Sequence, residues 1–313
     1  MNHHRFSLLV FAILAVLPLS ATAEGAAAAH PPLRIGVLPD VDSLPILVAD
    51  AEGIFTTHGV AVQVTRFTTA VERDAALQSG KLDGAVSDLL GAALAAKGGF
   101  DLRVTSLTDG RYGIVAAPGS GITTAAGLAG VPIGISTSTI IQYATDVLLS
   151  RAGLTRSQIV GLSVPKIQVR MELLAAGQLK AACLPEPLLS VARARGATLI
   201  AASDAAGFGA GVLLFPRALL DTRLDDARRF YAAYRDACQK INGDNDAYRD
   251  FLVEKASFPR EIVSSFQFVR YQTPRLPSVQ DVRDVLTWMK TAGLLTDDID
   301  PSSLLDGRAI AGW

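Results

Sequence analysis

Strand-like and helix-like patterns alternate along most of this 313-residue sequence, and this alternation limits the possible folds more than any other feature. The apolar run at residues 33–38 predicts a buried strand, and the helix after it has Pro45 near its start and ends at Gly53. Residues 60–67 alternate as a strand, and a capping box at residues 69–72 opens the next helix. This βαβα order predicts a mostly parallel sheet with helices on both faces.

One short pattern occurs twice in the sequence. Leu-x-x-Gly-x-Leu-x-x-Ala occupies residues 77–85 and returns at residues 174–182, which is 97 residues later. In both copies a helix ends at a glycine C-cap and leads into a short buried strand. Because both copies hold the same place in the βα order, they predict two related lobes.

Two apolar segments, residues 112–117 and 211–215, flank the second set of elements, and each is followed by a proline. They predict a pair of crossover strands between the lobes. The first lobe would then comprise residues 33–117 and 211–313, and the second lobe would comprise residues 118–210.

The chain changes character beyond Arg217, where charged amphipathic helix patterns replace the strands. The predicted helices span residues 225–242, 244–255, 259–268 and 278–292. Since this region has no strand to add to a sheet, we expect it to form a helical layer on the first lobe.

The first 23 residues predict a secretory signal peptide. A short basic start precedes an apolar run at residues 6–17, and Ala21-Thr22-Ala23 forms a small-x-small cleavage site. The run has 12 residues, whereas a helix needs about 20 to span a bilayer. The first cysteine is Cys183, so no thiol follows the apolar run for a lipid anchor. We therefore expect a soluble periplasmic protein.

Charge and cysteine content exclude several classes of protein. Without the signal peptide the chain has 28 Lys and Arg against 30 Asp and Glu, since Arg5 is the one charged side chain removed. This balance argues against nucleic acid or an anionic membrane as the main partner. Cys183 lies in an apolar strand-like stretch and Cys238 on a later helix, so we expect two buried free thiols and no disulfide framework.

Several segments match one known family in sequence and in order. They lie at residues 34–37, 44–62, 76–85, 117–134 and 174–187, and they include Gly-Lys-Leu-Asp-Gly-Ala at 80–85 and Leu-Pro-Glu-Pro at 184–187. On these segments the chain resembles the type II periplasmic binding proteins of the nitrate, sulfonate, taurine and thiamine-precursor group, the SsuA-like or NMT1-like superfamily. The match runs from about Leu33 to Phe215 and continues more loosely to the end.

The resemblance implies a fold class and a function. The fold is α/β, with two doubly wound lobes joined by two crossover strands, a ligand cleft between them and the C-terminal helical layer. The function is that of a monomeric solute-binding component of an ABC importer. Its partners would be a small-molecule ligand and a membrane permease with a cytosolic ATPase, and no cofactor is expected.

Ligand contacts are expected where strands end and helices begin, because open α/β sheets bind ligands at the carboxyl ends of their strands. Helix N-termini there offer unpaired N–H groups and about half a positive charge. The candidate ligand-binding residues are Asp40, Ser43, Thr69, Ser87, Asp88, Arg111, Tyr112, Ser136, Ser138, Thr139, Glu186 and Phe208.

Each kind of candidate also has a structural interpretation. The hydroxyl residues Ser43, Thr69, Ser87 and Ser138 are of the type that caps helices throughout proteins. Glu186 lies between two prolines and is equally suited to cap a helix. Arg111 is either a clamp on an anionic group or half of an ion pair between the lobes, and Tyr112 is either a contact or a core residue.

The candidates carry mixed charge. Helix ends and Arg111 favour an anionic ligand, but Asp40, Asp42, Asp88, Asp109 and Glu186 place carboxylates at the same edge of the sheets. A purely anionic ligand would meet like charge there. A ligand with an amine or a protonated ring nitrogen, including a zwitterion, fits this set better.

The main alternative is an enzyme like the pyrimidine synthases of thiamine biosynthesis, which belong to the same superfamily. Those enzymes consume an active-site histidine and depend on iron and a cysteine-rich stretch. After residue 23 this sequence has His30 and His58 as its histidines, and its two cysteines lie far apart. It has no P-loop, G-x-S-x-G or metalloprotease motif. We therefore expect no catalytic activity.

Two further alternatives are binding proteins without a transporter. The effector lobe of a transcription regulator shares this fold, but it would need a helix-turn-helix before residue 33, where the signal peptide lies. A stand-alone sensory or scavenging protein stays open, because the surface that would bind a permease cannot be read from the sequence.

We predict that signal peptidase cleaves after Ala23, so that the mature protein begins at Glu24 and fractionates with soluble periplasmic material. N-terminal sequencing of the protein from fractionated cells tests this prediction. Recovery of residues 1–23 on a membrane-bound protein would contradict it.

Overall fold

A computed structural model describes residues 30–206 and 209–312, so the predicted signal peptide and Phe208 lie outside the described residues. The strands within these ranges are β1 Leu33–Val37, β2 Val62–Arg66, β3 Gly84–Asp88, β4 Leu102–Leu107, β5 Tyr112–Ala116, β6 Pro132–Ile135, β7 Val160–Ser163, β8 Ala181–Pro185, β9 Thr198–Ala202 and β10 Gly211–Pro216.

The helices follow the strands in the order that the sequence predicts for an α/β protein. They are α1 Leu44–Ala51, α2 Ile54–Thr57, α3 Ala70–Gln78, α4 Leu89–Lys97, α5 Ile140–Arg151, α6 Ile167–Ala175, α7 Leu188–Ala194, α8 Ser203–Ala206, α9 Arg217–Thr222, α10 Leu224–Gly243, α11 Arg249–Glu254 and α12 Val279–Thr291. Among the described residues, no helix is both long and apolar enough to span a bilayer.

The strands form two five-stranded sheets of the same design, in the orders β2-β1-β3-β10-β4 and β7-β6-β8-β5-β9. In the first sheet β1 pairs in parallel with β2 and β3, and β10 lies antiparallel between β3 and β4. In the second sheet β6 pairs in parallel with β7 and β8, and β5 lies antiparallel between β8 and β9. The predicted α/β fold with two related lobes is confirmed.

The glycines of the first strand in each sheet explain the repeated sequence pattern. A Cβ atom on Gly36 would lie 2.5 Å from Cδ1 of Leu82, and a Cβ atom on Gly134 would lie 2.7 Å from Cδ1 of Leu179. Both leucines are the second leucine of the repeated pattern. In each lobe, the leucine therefore packs on a strand position where any side chain would collide with it.

One predicted boundary is displaced. We expected residues 112–117 to belong to the first lobe, but β5 pairs with β8 and β9 of the second sheet. The chain therefore leaves the first sheet after Leu107 and returns to it at Gly211. The two predicted crossover segments are the strands β5 and β10. Each lies between two strands of a single sheet, where its backbone groups find hydrogen-bond partners on both sides.

The C-terminal helical layer packs against the first lobe, with α10 on α1 and α2 and with α12 on α4. An aromatic cluster joins α10 to the sheet and to α2: the ring of Phe230 lies 5.3 Å from that of Phe55 and 5.6 Å from that of Phe215. The layer also reaches the second lobe, since Trp288 Nε1 donates a hydrogen bond to Asp146 Oδ2 at 3.1 Å.

The predicted helix at residues 259–268 is wrong. The structure has one turn of 3-10 helix at Arg260–Ile262, followed by a segment without regular structure. Arg249 Nη1 donates to the carbonyl oxygens of Val263 and Phe266 at 2.6 and 3.2 Å. A side chain on another helix thus satisfies carbonyl groups that would otherwise need a helical partner, while Phe266 stays buried.

The two cysteines are free and buried, as the sequence predicts: Cys183 lies in β8 and Cys238 in α10. Burial raises the pKa of the Cys183 thiol to about 11 and raises the pKa of Cys238 as well. Because the thiolate is the reactive form, we predict no reaction of the native protein with a thiol reagent at neutral pH. Protein unfolded without reductant should show both thiols, and finding neither would contradict the free-thiol assignment.

Candidate functional site

A cavity of about 40 Å³ lies between the two lobes, at the carboxyl ends of the parallel strands. The first-lobe wall is formed by residues that follow β1, by the first turn of α3 and by the end of β3. The second-lobe wall is formed by residues that follow β6 and β7, by the starts of α5 and α6, and by one residue each of β5 and β8. Its lining residues are Leu38, Asp40, Asp42, Ala70, Arg73, Val86, Ser87, Asp88, Tyr112, Ser136, Thr139, Ile140, Ile141, Pro165, Ile167 and Pro185. This is the sheet edge where ligand contacts were expected.

Asp42 accepts a side-chain hydrogen bond at each of its two carboxylate oxygens. Its Oδ1 accepts a hydrogen bond from Thr108 Oγ1 at 2.5 Å, and its Oδ2 accepts one from Tyr112 Oη at 2.9 Å. Burial raises the pKa of Asp42 to about 7, and the nearby charge of Asp40 acts in the same direction. Tyr112 belongs to β5 of the second sheet, so this bond also links the lobes.

Asp40 keeps one carboxylate oxygen free of protein donors. Its Oδ1 accepts from the backbone N–H of Ser43 at 3.1 Å and from Ser43 Oγ at 2.8 Å. Within the described part of the chain, no hydrogen bond to its Oδ2 is found. Burial raises the pKa of Asp40. Ser43 does not line the cavity and acts here as the donor that orients Asp40.

Asp88 caps one helix in each lobe. Its Oδ1 accepts from the N–H of Gly91 in α4 at 2.8 Å, and its Oδ2 accepts from the N–H of Ile140 in α5 at 3.0 Å. Burial raises the pKa of this carboxyl, and the charge of Arg73 opposes that shift. The segments 87–88 and 136–139 therefore face each other across the cavity, as the sequence predicts.

Arg73 is a site residue that sequence reasoning missed. It is buried in α3, where Nε donates to Asp74 Oδ1 at 2.9 Å and Nη2 donates to Ser87 Oγ at 2.9 Å. Ser87 donates in turn to Asp74 Oδ1 at 3.2 Å, which commits its hydroxyl to this network. An arginine inside a helix pattern normally indicates an exposed face, so the sequence offered little signal for it.

The second-lobe wall carries hydroxyl groups and apolar side chains. Ser136 Oγ donates to the carbonyl of Pro165 at 3.2 Å, and it accepts from Arg170 Nη2 at 3.2 Å. Thr139 is the N-cap of α5, where its Oγ1 accepts from the N–H of Ile141 at 3.2 Å. Ile140, Ile141 and Ile167 supply the apolar surface.

Two of the predicted ligand contacts, Thr69 and Ser138, make hydrogen bonds within the protein at helix N-termini. Thr69 caps α3 by accepting from the N–H of Glu72 at 3.2 Å, but Glu72 Oε2 accepts from Thr68 Oγ1, so the reciprocal bond of the predicted capping box is not found. Ser138 adopts a φ of 59° and donates its N–H to Gln142 Oε1 at 2.7 Å. Neither residue lines the cavity.

Arg111 and Glu186 also lie outside the cavity, in an ion pair. Arg111 Nη1 lies 3.5 Å from Glu186 Oε1, and its Nη2 lies 3.2 Å from Asp204 Oδ2. Glu186 is fully buried and accepts two hydrogen bonds from Ser190 at 3.0 Å, one from the backbone N–H and one from Oγ. The structure thus gives Arg111 two protein counter-charges and places it in the wall of a separate pocket of about 520 Å³ instead of this cavity.

A second pocket, of about 170 Å³, lies beside the first along the same cleft. The two share Ile167, and Pro39, Thr68 and Lys166 of the second pocket are next or near in sequence to lining residues of the first. Its wall is mainly apolar, with Leu188, Val169 and two further prolines. Among the described residues, no group of three or more His, Cys, Asp or Glu side chains could hold a metal ion.

Residues 26–254 match the model of the NMT1-like family. The chain belongs to this family. A search of curated proteins found no significant relative of this NMT1-like protein.

Solved structures resemble the NMT1-like protein over most of its length. The alkanesulfonate-binding protein SsuA from Xanthomonas axonopodis pv. citri, bound to MOPS, has a TM-score of 0.77 at 18% identity and covers 90% of this chain and 99% of its own. The ligand-binding component of an ABC-type import system from Staphylococcus aureus, with zinc bound, has a TM-score of 0.78 at 15% identity, with coverages of 90% and 99%.

One structural neighbour is an enzyme. The desulfurization enzyme DSZB has a TM-score of 0.65 at 15% identity and covers 90% of this chain and 98% of its own. At these identities the neighbours establish the two-lobed fold, and the fold alone does not separate binding from catalysis.

The raised pKa of Asp42 predicts how stability depends on pH. A carboxyl with a pKa of about 7 in the folded state and 3.8 as its ordinary value binds more protons folded than unfolded between these values, so its contribution to stability falls as pH rises through this window. Asp42→Asn should therefore lose less stability than the wild type between about pH 5 and about pH 8.

Denaturant unfolding at both pH values measures this difference. Asp225→Asn is the matched control, because Asp225 is an exposed carboxylate on α10. It should follow the wild type. An unchanged pH dependence in Asp42→Asn would contradict the assignment.

Proposed function

We propose that this protein is the solute-binding component of an ABC importer and that its ligand is a small molecule with a protonated amine. The family membership and the two-lobed fold support the first part. The observation that carries the second part is the charge of the cavity: Asp40, Asp42 and Asp88 line it, and Arg73 is the basic residue among its lining residues.

The carboxylates are costly to bury without a partner of opposite charge. Burial raises the pKa of all three because water no longer stabilises their ionised forms. Arg73 is shared with Asp74, with which it forms an ion pair at 2.8 Å. A protonated amine in the cavity would supply the missing positive charge, whereas an anion without one would meet like charge.

Asp40 is the proposed primary contact for the amine. Its Oδ2 lacks a protein donor in the described residues, whereas both oxygens of Asp42 and of Asp88 accept hydrogen bonds. Asp42 and Asp88 then act through their charge. The isoleucines of the second-lobe wall and the adjacent apolar pocket would receive the carbon skeleton of the ligand.

Capture would involve closure of the two lobes around the ligand. The connections between the sheets include residues 108–111 and 203–206, and these described segments can act as hinges. Closure brings Asp88 to the N-terminus of α5 and Tyr112 to Asp42. Opening breaks both contacts and would release the ligand to a membrane permease driven by a cytosolic ATPase.

The cavity supports binding rather than a reaction. Its lining contains no cysteine and no histidine, and the pKa of the Cys183 thiol is raised to about 11 by burial, which opposes formation of a thiolate. A stand-alone binding protein would bind the same ligand. Permease and ATPase genes beside this gene would distinguish the importer component from that alternative.

Titration calorimetry with propylamine, butylamine and pentylamine, and with propanoate, butanoate and pentanoate, tests the ligand class. We predict that the amines bind and that the carboxylates do not. Asp40→Asn should weaken amine binding about tenfold or more, because a hydrogen bond to a charged group contributes about 1.5–3 kcal/mol and about 1.4 kcal/mol is tenfold in affinity.

Asp146→Asn is the matched control for this substitution. Asp146 is a buried carboxylate of α5 whose pKa burial also raises, but it does not line the cavity. Its variant should keep the wild-type affinity. Equal losses in both variants, or binding of the carboxylates alone, would refute the proposed amine site.

A further inference from the structure

An arginine precedes each copy of the repeated sequence pattern at the same distance. Arg73 and Arg170 precede the first leucine of the pattern by four residues and are 97 residues apart. They also occupy equivalent positions in the two lobes, each beside the glycine of the first strand. A Cβ atom on Gly36 would lie 3.3 Å from Cγ of Arg73, and a Cβ atom on Gly134 would lie 3.2 Å from Cγ of Arg170.

The acidic surroundings of Arg73 are missing around Arg170. At the same interval of 97 residues, Met171 replaces Asp74 and Pro185 replaces Asp88. Along the first strands the equivalent glycines are 98 residues apart, so Ser138 stands in the place of Asp40. Each acid near the first arginine thus has a neutral counterpart near the second.

Among the described residues, Arg170 is consequently a buried cation without a carboxylate counter-ion. It is fully buried, its Nη2 donates to Ser136 Oγ at 3.2 Å, and its Nε and Nη1 have no hydrogen-bond partner in the described part of the chain. No ion pair with a described carboxylate is found. Burial lowers its pKa to about 10, so it stays protonated at neutral pH.

Arg170 stands directly behind the second-lobe wall of the cavity. Ser136, which accepts its hydrogen bond, lines the cavity, and so does Ile167, one turn earlier on the same helix. A buried unpaired charge is unfavourable unless a charge of opposite sign approaches it. Ser136 Oγ accepts from Arg170 and donates to the carbonyl of Pro165, so an acidic group in the cavity would receive the Ser136 hydrogen by replacing Pro165 as its acceptor, with the charge of Arg170 directly behind the hydroxyl.

We propose that Arg170 is a specificity-determining residue that favours an acidic group on the ligand. The acidic group would face Ser136 in the second lobe, while the amine faces Asp40 in the first lobe. Arg170 acts through Ser136 and is therefore a positioning residue. This inference rests on the proposed function and narrows it: the ligand is a zwitterion that lies across the cleft with its positive end toward the first lobe.

Matched pairs of probes that differ by one acidic group test the inference. The pairs are propylamine and β-alanine, butylamine and γ-aminobutyrate, and pentylamine and δ-aminovalerate, measured by titration calorimetry. In the wild type, the zwitterion of at least one pair should bind about tenfold more tightly than its amine or better, which corresponds to about 1.4 kcal/mol. Arg170→Met should abolish this preference and leave amine binding in place.

Conservative and control variants separate charge from structure. Arg170→Lys keeps the charge and should retain the preference for the zwitterion. Ser136→Ala removes the hydroxyl between Arg170 and the cavity and should reduce this preference. Lys180→Met removes a positive charge from the exposed surface of the same lobe and should leave the preference unchanged. The ratio of the two affinities is the readout, because a purely structural role would lower both affinities together.

The outcomes distinguish this inference from the proposed function. If the wild type binds the amines without favouring the zwitterions, or if Arg170→Met and Ser136→Ala both keep the preference, the inference is wrong and the amine site stands. If butanoate binds in an Arg170-dependent way and the amines do not, the amine site is wrong and the role of Arg170 stands. If none of these compounds binds, both are wrong.

Discussion

The carboxylate of Asp88 joins the two lobes beside the cavity. One oxygen accepts from the first turn of α4 in its own lobe, and the other accepts from the N–H of Ile140 at the start of α5 in the other lobe. Helix N-termini carry unpaired N–H groups and partial positive charge, which makes each of them a good partner for an anion. Because this single buried carboxylate binds both helix N-termini, it fixes the distance between the lobes beside the cavity.

The two lobes have the same architecture, but the side chains with which they line the cavity differ in charge. The sheets share strand order, a glycine under a leucine and a buried arginine. In the first lobe, acids surround the arginine and line the cavity. The second lobe lines it with hydroxyls and isoleucines, and the arginine behind them has no carboxylate counter-ion among the described residues. The cavity between such lobes is more acidic on its first-lobe side, which is the basis of the proposed selection of a ligand by charge and orientation.

Local patterns in the sequence were sufficient for most of the fold. Strand and helix periodicity, glycine C-caps and the N-cap at Thr69 depend on near neighbours in the chain, so they can be read without tertiary information. The exceptions were features with distant partners. In residues 259–268, Arg249 of another helix binds two carbonyl oxygens that a helix would otherwise use. The strand β5 pairs with β8 and β9, which lie far along the chain, so its own neighbours did not reveal its sheet.

The sequence by itself determined the order of the elements, the two-lobe design and the sheet edge at which the cavity lies. Only the tertiary structure decided which of those residues share the cavity. Asp42 meets Thr108 and Tyr112 across 66 and 70 residues of chain, and Arg111 turns to Glu186 and Asp204 instead of the cavity. Periodicity places a side chain on a face of its own helix or strand, but its charge partner comes from whichever distant segment folds against that face.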